Sequence, residues 1–344
     1  MLKALRKLLG GVEAKKELVS EPSEAAQPPS EAAPAAATPH ALTRAEVFTK
    51  LHALAFGITP VDPPASTAHA EVSAAARALL AQAVSEPRYM PRRPLLLPQL
   101  MHAVNDTDVS RRELAALIVR DPALTGNLLK IANAPFYRVS SEPVESIDRA
   151  ISLLGTNGIR SLIATAIMQP VFRVAGGEFA RFPEVAWDHT FRSGTAAAAH
   201  AVMIEHDDPF AAQLLTLVTG LATIVVFRVA LDQYAARPAL RPDVVIVVQL
   251  LDAHTARVAR DIAASWELSE RILTALEDQI PGAEHEWTPL GRALQFGRLA
   301  GALVVLQASG DLDGETAREA LLTNENDRAP IASIWKRLTR ELHA

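Results

Sequence analysis

Apolar residues recur along most of the chain every three or four positions, the spacing of one buried face on a helix. Between Asp121 and Tyr137, Leu124, Leu128 and Ile131 fall at i, i+4 and i+7, and Leu129 widens the stripe. Asp121 can cap the first turn and Pro122 suits the first helical position. Asn133 reads as a left-handed C-cap, and Pro135 forbids continuation. Val144, Ile147, Ile151 and Leu154 form a second apolar face, stopped by Gly155. The other helices are expected to pack around this pair.

Four stretches follow from the same pattern. Residues 1–42 combine a basic amphipathic segment (MLKALRKLLG, then Lys15 and Lys16) with an Ala/Pro/Ser/Glu-rich linker expected to be disordered. Residues 43–90 are expected to be accessory helices. The first opens at a Thr43–Glu46 capping box and buries Val47, Leu51 and Leu54; the second starts at Ser66 or Thr67. Residues 91–280 hold the main helical domain. Its first half contains short helices at 98–105, 110–118 and 156–168, with a capping box at Ser110 and Glu113. Its second half begins with an Ala-rich helix from Glu184 to Ile204, whose small residues suit a central position. Asp208-Pro209 then opens a helix to Val229. Val244 to Leu251 has the composition of a strand, but with no other strand to pair with it reads as a buried helix. Separate helices at Ala253–Trp266 and Ser269–Ile280 complete the domain. Residues 281–344 are a helical extension starting at Pro289, where Gly291, Gly297 and Gly301 mark either close packing or a weakened helix.

Composition sharpens the class. Hydrophobic residues make up 49%, largely Ala and Leu, while aromatics are only 5%, which favours an all-α fold over a sheet. The absence of cysteine excludes disulfides and thiolate metal sites. No membrane span is expected, on the reading that no charge-free apolar run reaches about 18 residues. The N-terminal segment has no signal-peptide pattern, so a cytoplasmic location is expected. A net charge of −5 argues against nucleic-acid binding. Peripheral membrane contact through residues 1–16 stays open as an alternative to a solvated tail.

DPALTGNLLKIAN followed by PVESIDRAISLLG resembles the HDOD family, the HD-related output domain of bacterial signalling proteins. The matching residues include Asp121, Pro122, Leu124, Leu128, Leu129, Ala132, Asn133, Tyr137, Ser146, Ile147, Ala150, Ile151, Leu154 and Gly155. The resemblance implies an HDOD-type multi-helix bundle in two helical halves over residues 91–280.

The resemblance also says where chemistry would sit. HD enzymes hydrolyse phosphoesters with a metal held by a His, a later His-Asp dyad and a further Asp. Trp187 and His189 match the surviving Trp-x-His. On the family pattern Ala222 stands where the dyad His would be and Thr223 where its Asp would be. A methyl group cannot ligate metal, and a hydroxyl does not replace a carboxylate. The His-His pair common near the end of the domain is replaced by Glu277-Asp278-Gln279. His189 is therefore expected to be a buried, hydrogen-bonded or surface residue. His200, about three turns on, cannot share a metal with it. His206-Asp207 is a coincidental pair on a turn, Asp208 a helix cap and His254 a surface residue. Gly176-Gly177 is a turn and not a phosphate loop. Arginines at 92, 93, 111, 112, 120 and 138 read as solvated surface, with an anionic-ligand or partner site as the alternative.

The expected function is a non-catalytic signalling module with no catalytic, cofactor or metal site. Its implied partners are signalling proteins supplied in trans, such as two-component or cyclic-di-GMP pathway proteins. The alternatives are a phosphohydrolase with rearranged metal ligands and a nucleotide-binding or membrane-recruited regulator.

Overall fold

The computed structural model describes residues 42–58, 67–82, 88–91, 179–282, 286–325 and 328–340, with isolated positions between 125 and 152. Expectations for residues 1–41, for the helices at 98–118 and 156–168, for Gly176-Gly177 and for the six arginines of the first half lie outside these residues. The fold is all-helical, with no strand among the described residues. In chain order the helices are α1 (Arg44–Phe56), α2 (Thr67–Ala81), α3 (Phe182–His200, continued by a π turn, Ala201–Glu205), α4 (Pro209–Ala235) and α5 (Val244–Ser265). They continue with α6 (Glu270–Glu277), α7 (Pro289–Ser309), α8 (Gly314–Thr323) and α9 (Arg328–Leu338).

Capping chemistry sets the helix starts. Thr43 and Glu46 form the reciprocal capping box, the Glu46 carboxylate accepting from the Thr43 backbone N–H at 2.7 Å. Asp208 accepts from Phe210 N–H at 2.8 Å, with Pro209 at the first helical position. Asp243, not foreseen as a cap, accepts from both Val245 and Ile246 N–H. A cap there stabilises the helical alternative for the β-branched run that follows. Val244 to Leu251 is accordingly helical, but it does not end there: it and the stretch to Ser265 are one helix, because no breaker separates them.

Most of the pair at 121–155 lies outside the described residues, so the packing expected around it falls outside them too. The described helices pack around α4, which is buried on almost every side and flanked by α3, α5 and α7. This helix also corrects the reason given for expecting no membrane span, since it holds an apolar run of the required length. It has a window of mean hydropathy 2.2, enough by length and composition to cross a bilayer, but 83% of that window is buried inside the protein. A helix apolar all round needs partners on all faces, and this fold supplies them. Phe227 of α4 stacks on Phe182 of α3 at 4.1 Å, and Phe182 on Phe56 of α1 at 4.8 Å. The stack ties α1 to the main domain. The residues expected as accessory helices thus belong to the core, α1 lying against α3 and α7 and α2 against α4 and α5.

Gly297 and Gly301 settle the two readings of α7 in favour of close packing. A Cβ at Gly297 would lie 2.6 Å from the Ser193 carbonyl oxygen, and one at Gly301 2.7 Å from the Ser193 nitrogen. The α3 and α7 backbones touch along this seam.

Asn133 works differently from the C-cap expected of it. Among the described non-glycine residues only Phe179, His206 and Glu267 have positive φ. Asn133 instead uses its side chain: its amide donates to Leu129 O and Val144 O at 2.8 Å, and its oxygen accepts from Val144 N–H at 2.7 Å. The residue closes the segment by stapling it to the next one, whose Val144, Ile147 and Ala150 are buried.

Candidate functional site

A cavity of about 710 Å³ opens between α1, α3, α4, α5 and α7. Its deep end lies between α3 and α4 and carries buried hydroxyls: Thr190, Ser193, Thr216 and Thr219. Thr216, Thr219 and Thr223 recur at i, i+3 and i+7, so they form one stripe on α4. Each donates its proton back to its own helix, to Gln213 O at 2.7 Å, Leu215 O at 2.8 Å and Thr219 O at 3.0 Å. Thr190 does the same to Ala186 O at 2.7 Å. Polar side chains are thereby tolerated in a core helix, and their oxygens keep lone pairs for accepting.

The other walls carry charge. Arg298 of α7 lies over the Phe48 ring of α1, its guanidinium carbon 5.4 Å from the centroid. It makes no hydrogen bond or ion pair to a described side chain. Burial holds its pKa below the usual arginine value, Asp252 opposes that shift and Arg44 adds to it. Arg44 pairs with Glu325 at 3.1 Å, leaving its Nη1 buried without a hydrogen-bond partner among the described residues. Asp252 is exposed at the mouth. His52 sits beside it, its pKa lowered by burial more than Asp252 raises it.

His189 shares the cavity wall. Its Nε2–H donates to the Arg298 carbonyl at 2.9 Å, and Phe48 meets its ring edge-on at 6.0 Å. Burial lowers its pKa to about 4, only partly opposed by the carbonyl contact. A depressed folded pKa makes the unfolded chain bind protons first as pH falls, so stability is full above about 6.5 and is lost toward 4. Wild type is expected to lose about 1–3 kcal/mol more than His189→Gln across that window, the shift being discounted for the ring's partial exposure to the cavity. Urea midpoints at several pH values check this; equal slopes in the two proteins would contradict it.

These groups do not suit a metal. Ala222 is fully buried and offers a methyl group. Thr223 has spent its proton on its own helix, and His189 has only Nδ1 left. Among the described residues no group of three or more His, Asp or Glu is arranged to hold an ion.

The other sequence-marked residues have structural roles. His200 is buried and stacks on Phe296 at 4.4 Å, its Nδ1 3.9 Å from Glu205, which Arg292 grips with two nitrogens. His206 takes left-handed backbone at the end of the π turn, and Asp207 pairs with Arg271. His254 is half-buried, not simply surface, and burial lowers its pKa ahead of Arg77 and Arg257. Of Glu277-Asp278-Gln279, Glu277 pairs with Arg260, Asp278 is buried and accepts from Thr288 N–H at 2.9 Å, and Gln279 donates to Gly291 O at 3.0 Å. Glu277 thus ties α6 to α5, while Asp278 and Gln279 fasten its end to the start of α7. Trp187 packs against the main core.

The family model of the HDOD domain matches residues 90–280, more than half of the chain. The chain belongs to the HDOD family. An uncharacterized protein of Treponema pallidum (strain Nichols) is 22% identical over 241 residues, covering 67% of this chain. The chain spans only 44% of that relative's length. An HDOD domain protein of unknown function from Geobacter sulfurreducens superposes with a TM-score of 0.54 at 18% identity, covering 79% of this chain and 98% of its own. A proposed metal-dependent phosphohydrolase from Shewanella amazonensis SB2B gives 0.53 at 17% identity, covering 80% and 99%. Both share the fold of this chain, and the Geobacter structure bears out its HDOD-type helical class. The cavity groups Arg44, Phe48, His52 and Arg298 all lie outside the family-matched stretch, on α1 and α7. No local signal marked them, α1 reading as an accessory helix and α7 as an extension, and of the threonines only Thr223 was singled out from the sequence.

Proposed function

We propose that this HDOD protein is a non-catalytic, cytoplasmic signalling module that acts by binding partner proteins in trans. The observation that carries the reading is the state of the dyad position: Ala222 is sealed in the core and Thr223 is hydrogen-bonded to its own helix. The remaining imidazole there, His189, is bound to a backbone carbonyl, stays neutral and has no dyad beside it to complete a metal site among the described residues. Without a metal-bound water the HD type of hydrolysis has no nucleophile. What remains is a rigid helical body suited to presenting surfaces. Val202 and Met203, half-exposed apolar residues on the π turn, are the kind of side chain that a partner would cover.

The second reading is a phosphohydrolase with rearranged ligands, favoured by one observation: His52, His189 and Asp252 line the same cavity. Metal analysis after purification with added manganese, iron or magnesium separates the two. The expected result is metal well below one equivalent, unchanged in His189→Ala, with no phosphodiesterase activity. One equivalent of metal, lost in His189→Ala, would make the enzyme reading the better one. Affinity capture from the host with the full chain and with residues 41–344 tests the partner half. A discrete signalling protein retained by both forms is expected, and its loss on truncation would move the contact to the basic N-terminus.

A further inference from the structure

We propose that the cavity binds a small, singly charged organic anion, an apolar body carrying one carboxylate or phosphate-type group held by Arg298. The proposal rests on the reading that the cavity no longer serves a metal. Its size, about 710 Å³, lies inside the usual range of small-molecule sites. The cation within it is incompletely matched. Arg298 is flanked by the Phe48 face and by a second arginine whose charge Glu325 already balances. Asp252 influences Arg298 without forming an ion pair, and it stands in solvent at the mouth. A guanidinium withdrawn from bulk water gains most from an anion that accepts two hydrogen bonds in its plane. The exposed carboxylate of Asp252 counts against a doubly charged group.

The walls define the rest of the ligand. Leu51, Phe182, Val185 and Val248 offer apolar surface to its body. The threonine oxygens at the deep end have donated their own protons, so they take an N–H or O–H from the ligand. The site is assembled from helices far apart in the chain, and a bound molecule touching α1 and α7 together with α3, α4 and α5 would clamp them. Such a ligand is a natural input for a module without chemistry of its own.

Anilinonaphthalene sulfonate is a suitable probe, because it joins an aromatic body, an N–H donor and a single negative charge. Fluorescence titration of the full chain is expected to show saturable binding of one equivalent. Arg298→Gln is expected to weaken it by about tenfold or more. Ala45→Trp should abolish it, since Ala45 is an exposed residue of α1 at the cavity rim and the change need not disturb the core. Arg257→Gln, exposed on α5 outside the cavity, should leave it unchanged. Displacement by octanoate or by diphenyl phosphate, a singly charged diester, then assigns the natural head group to a carboxylate or a phosphodiester. Non-saturable binding by wild type overturns the proposal, as does equal binding by a folded Arg298→Gln. Where Arg298→Gln does not fold, undiminished binding by Ala45→Trp overturns it. The metal content of the same preparations is read separately: one equivalent of metal refutes the non-catalytic reading, whereas absent probe binding refutes the cavity proposal alone.

Discussion

Gly297→Ala is expected to destabilise the protein by about 3 kcal/mol or more. The added methyl would sit 2.6 Å from both the Ala197 Cβ and the Ser193 carbonyl oxygen. Neither can turn aside, because one is a methyl group on a rigid helix and the other is backbone. Alanine's better helix propensity, about 1 kcal/mol, is too small to offset separating two helices. Gly301→Ala belongs to the same class, with Ser193 Oγ at 2.4 Å and the Ser193 nitrogen at 2.7 Å. Gly194→Ala, on the other face of α3, is a milder control: its nearest neighbours are Thr216 Oγ1 at 3.0 Å and Gln213 Cγ at 3.1 Å, both on side chains. Urea denaturation of the three variants checks the order. A Gly297→Ala midpoint equal to wild type would show that the seam yields without cost. The seam also governs the cavity, because Arg298 follows Gly297 directly and its carbonyl receives the His189 proton.

The second large effect is at the end of α5. Trp266→Ala is expected to cost about 3–5 kcal/mol. Trp266 is 1% exposed, among the largest fully buried side chains, and it packs in the main core. Its indole N–H donates to Pro91 O at 3.0 Å and so joins α5 to the chain that enters the family-matched domain. Trp266→Phe keeps most of the volume and loses the donor, for an expected cost of about 1–2 kcal/mol. The difference between the two variants, read from urea midpoints, separates packing from hydrogen bonding. Equal losses would mean that the hydrogen bond, not the volume, holds this corner.

Legibility followed the range of the interaction. The Thr43–Glu46 box and the Asp208 cap were readable because side chain and backbone partner lie within three residues of each other. The helical state of Val244–Leu251 was readable by elimination, although its cap at Asp243 and its continuity to Ser265 were not. The left-handed cap expected at Asn133 failed because its real partner, Val144, is eleven residues away. The apolar length of α4 was under-read, and burial alone tells a core helix from a membrane-spanning one of the same composition.

By itself, the sequence determined the helical class, the family and the loss of the dyad. Periodicity and caps are local, and a methyl at position 222 cannot ligate metal in any fold. Only the tertiary structure decided that α1 and α7 belong with the domain and that a cavity lies where they meet it. Arg44, His52, His189, Thr223, Asp252 and Arg298 span most of the chain's length, and no local pattern links them. They meet because glycine lets α7 touch α3, and because the Phe56–Phe182–Phe227 stack holds α1 against both α3 and α4.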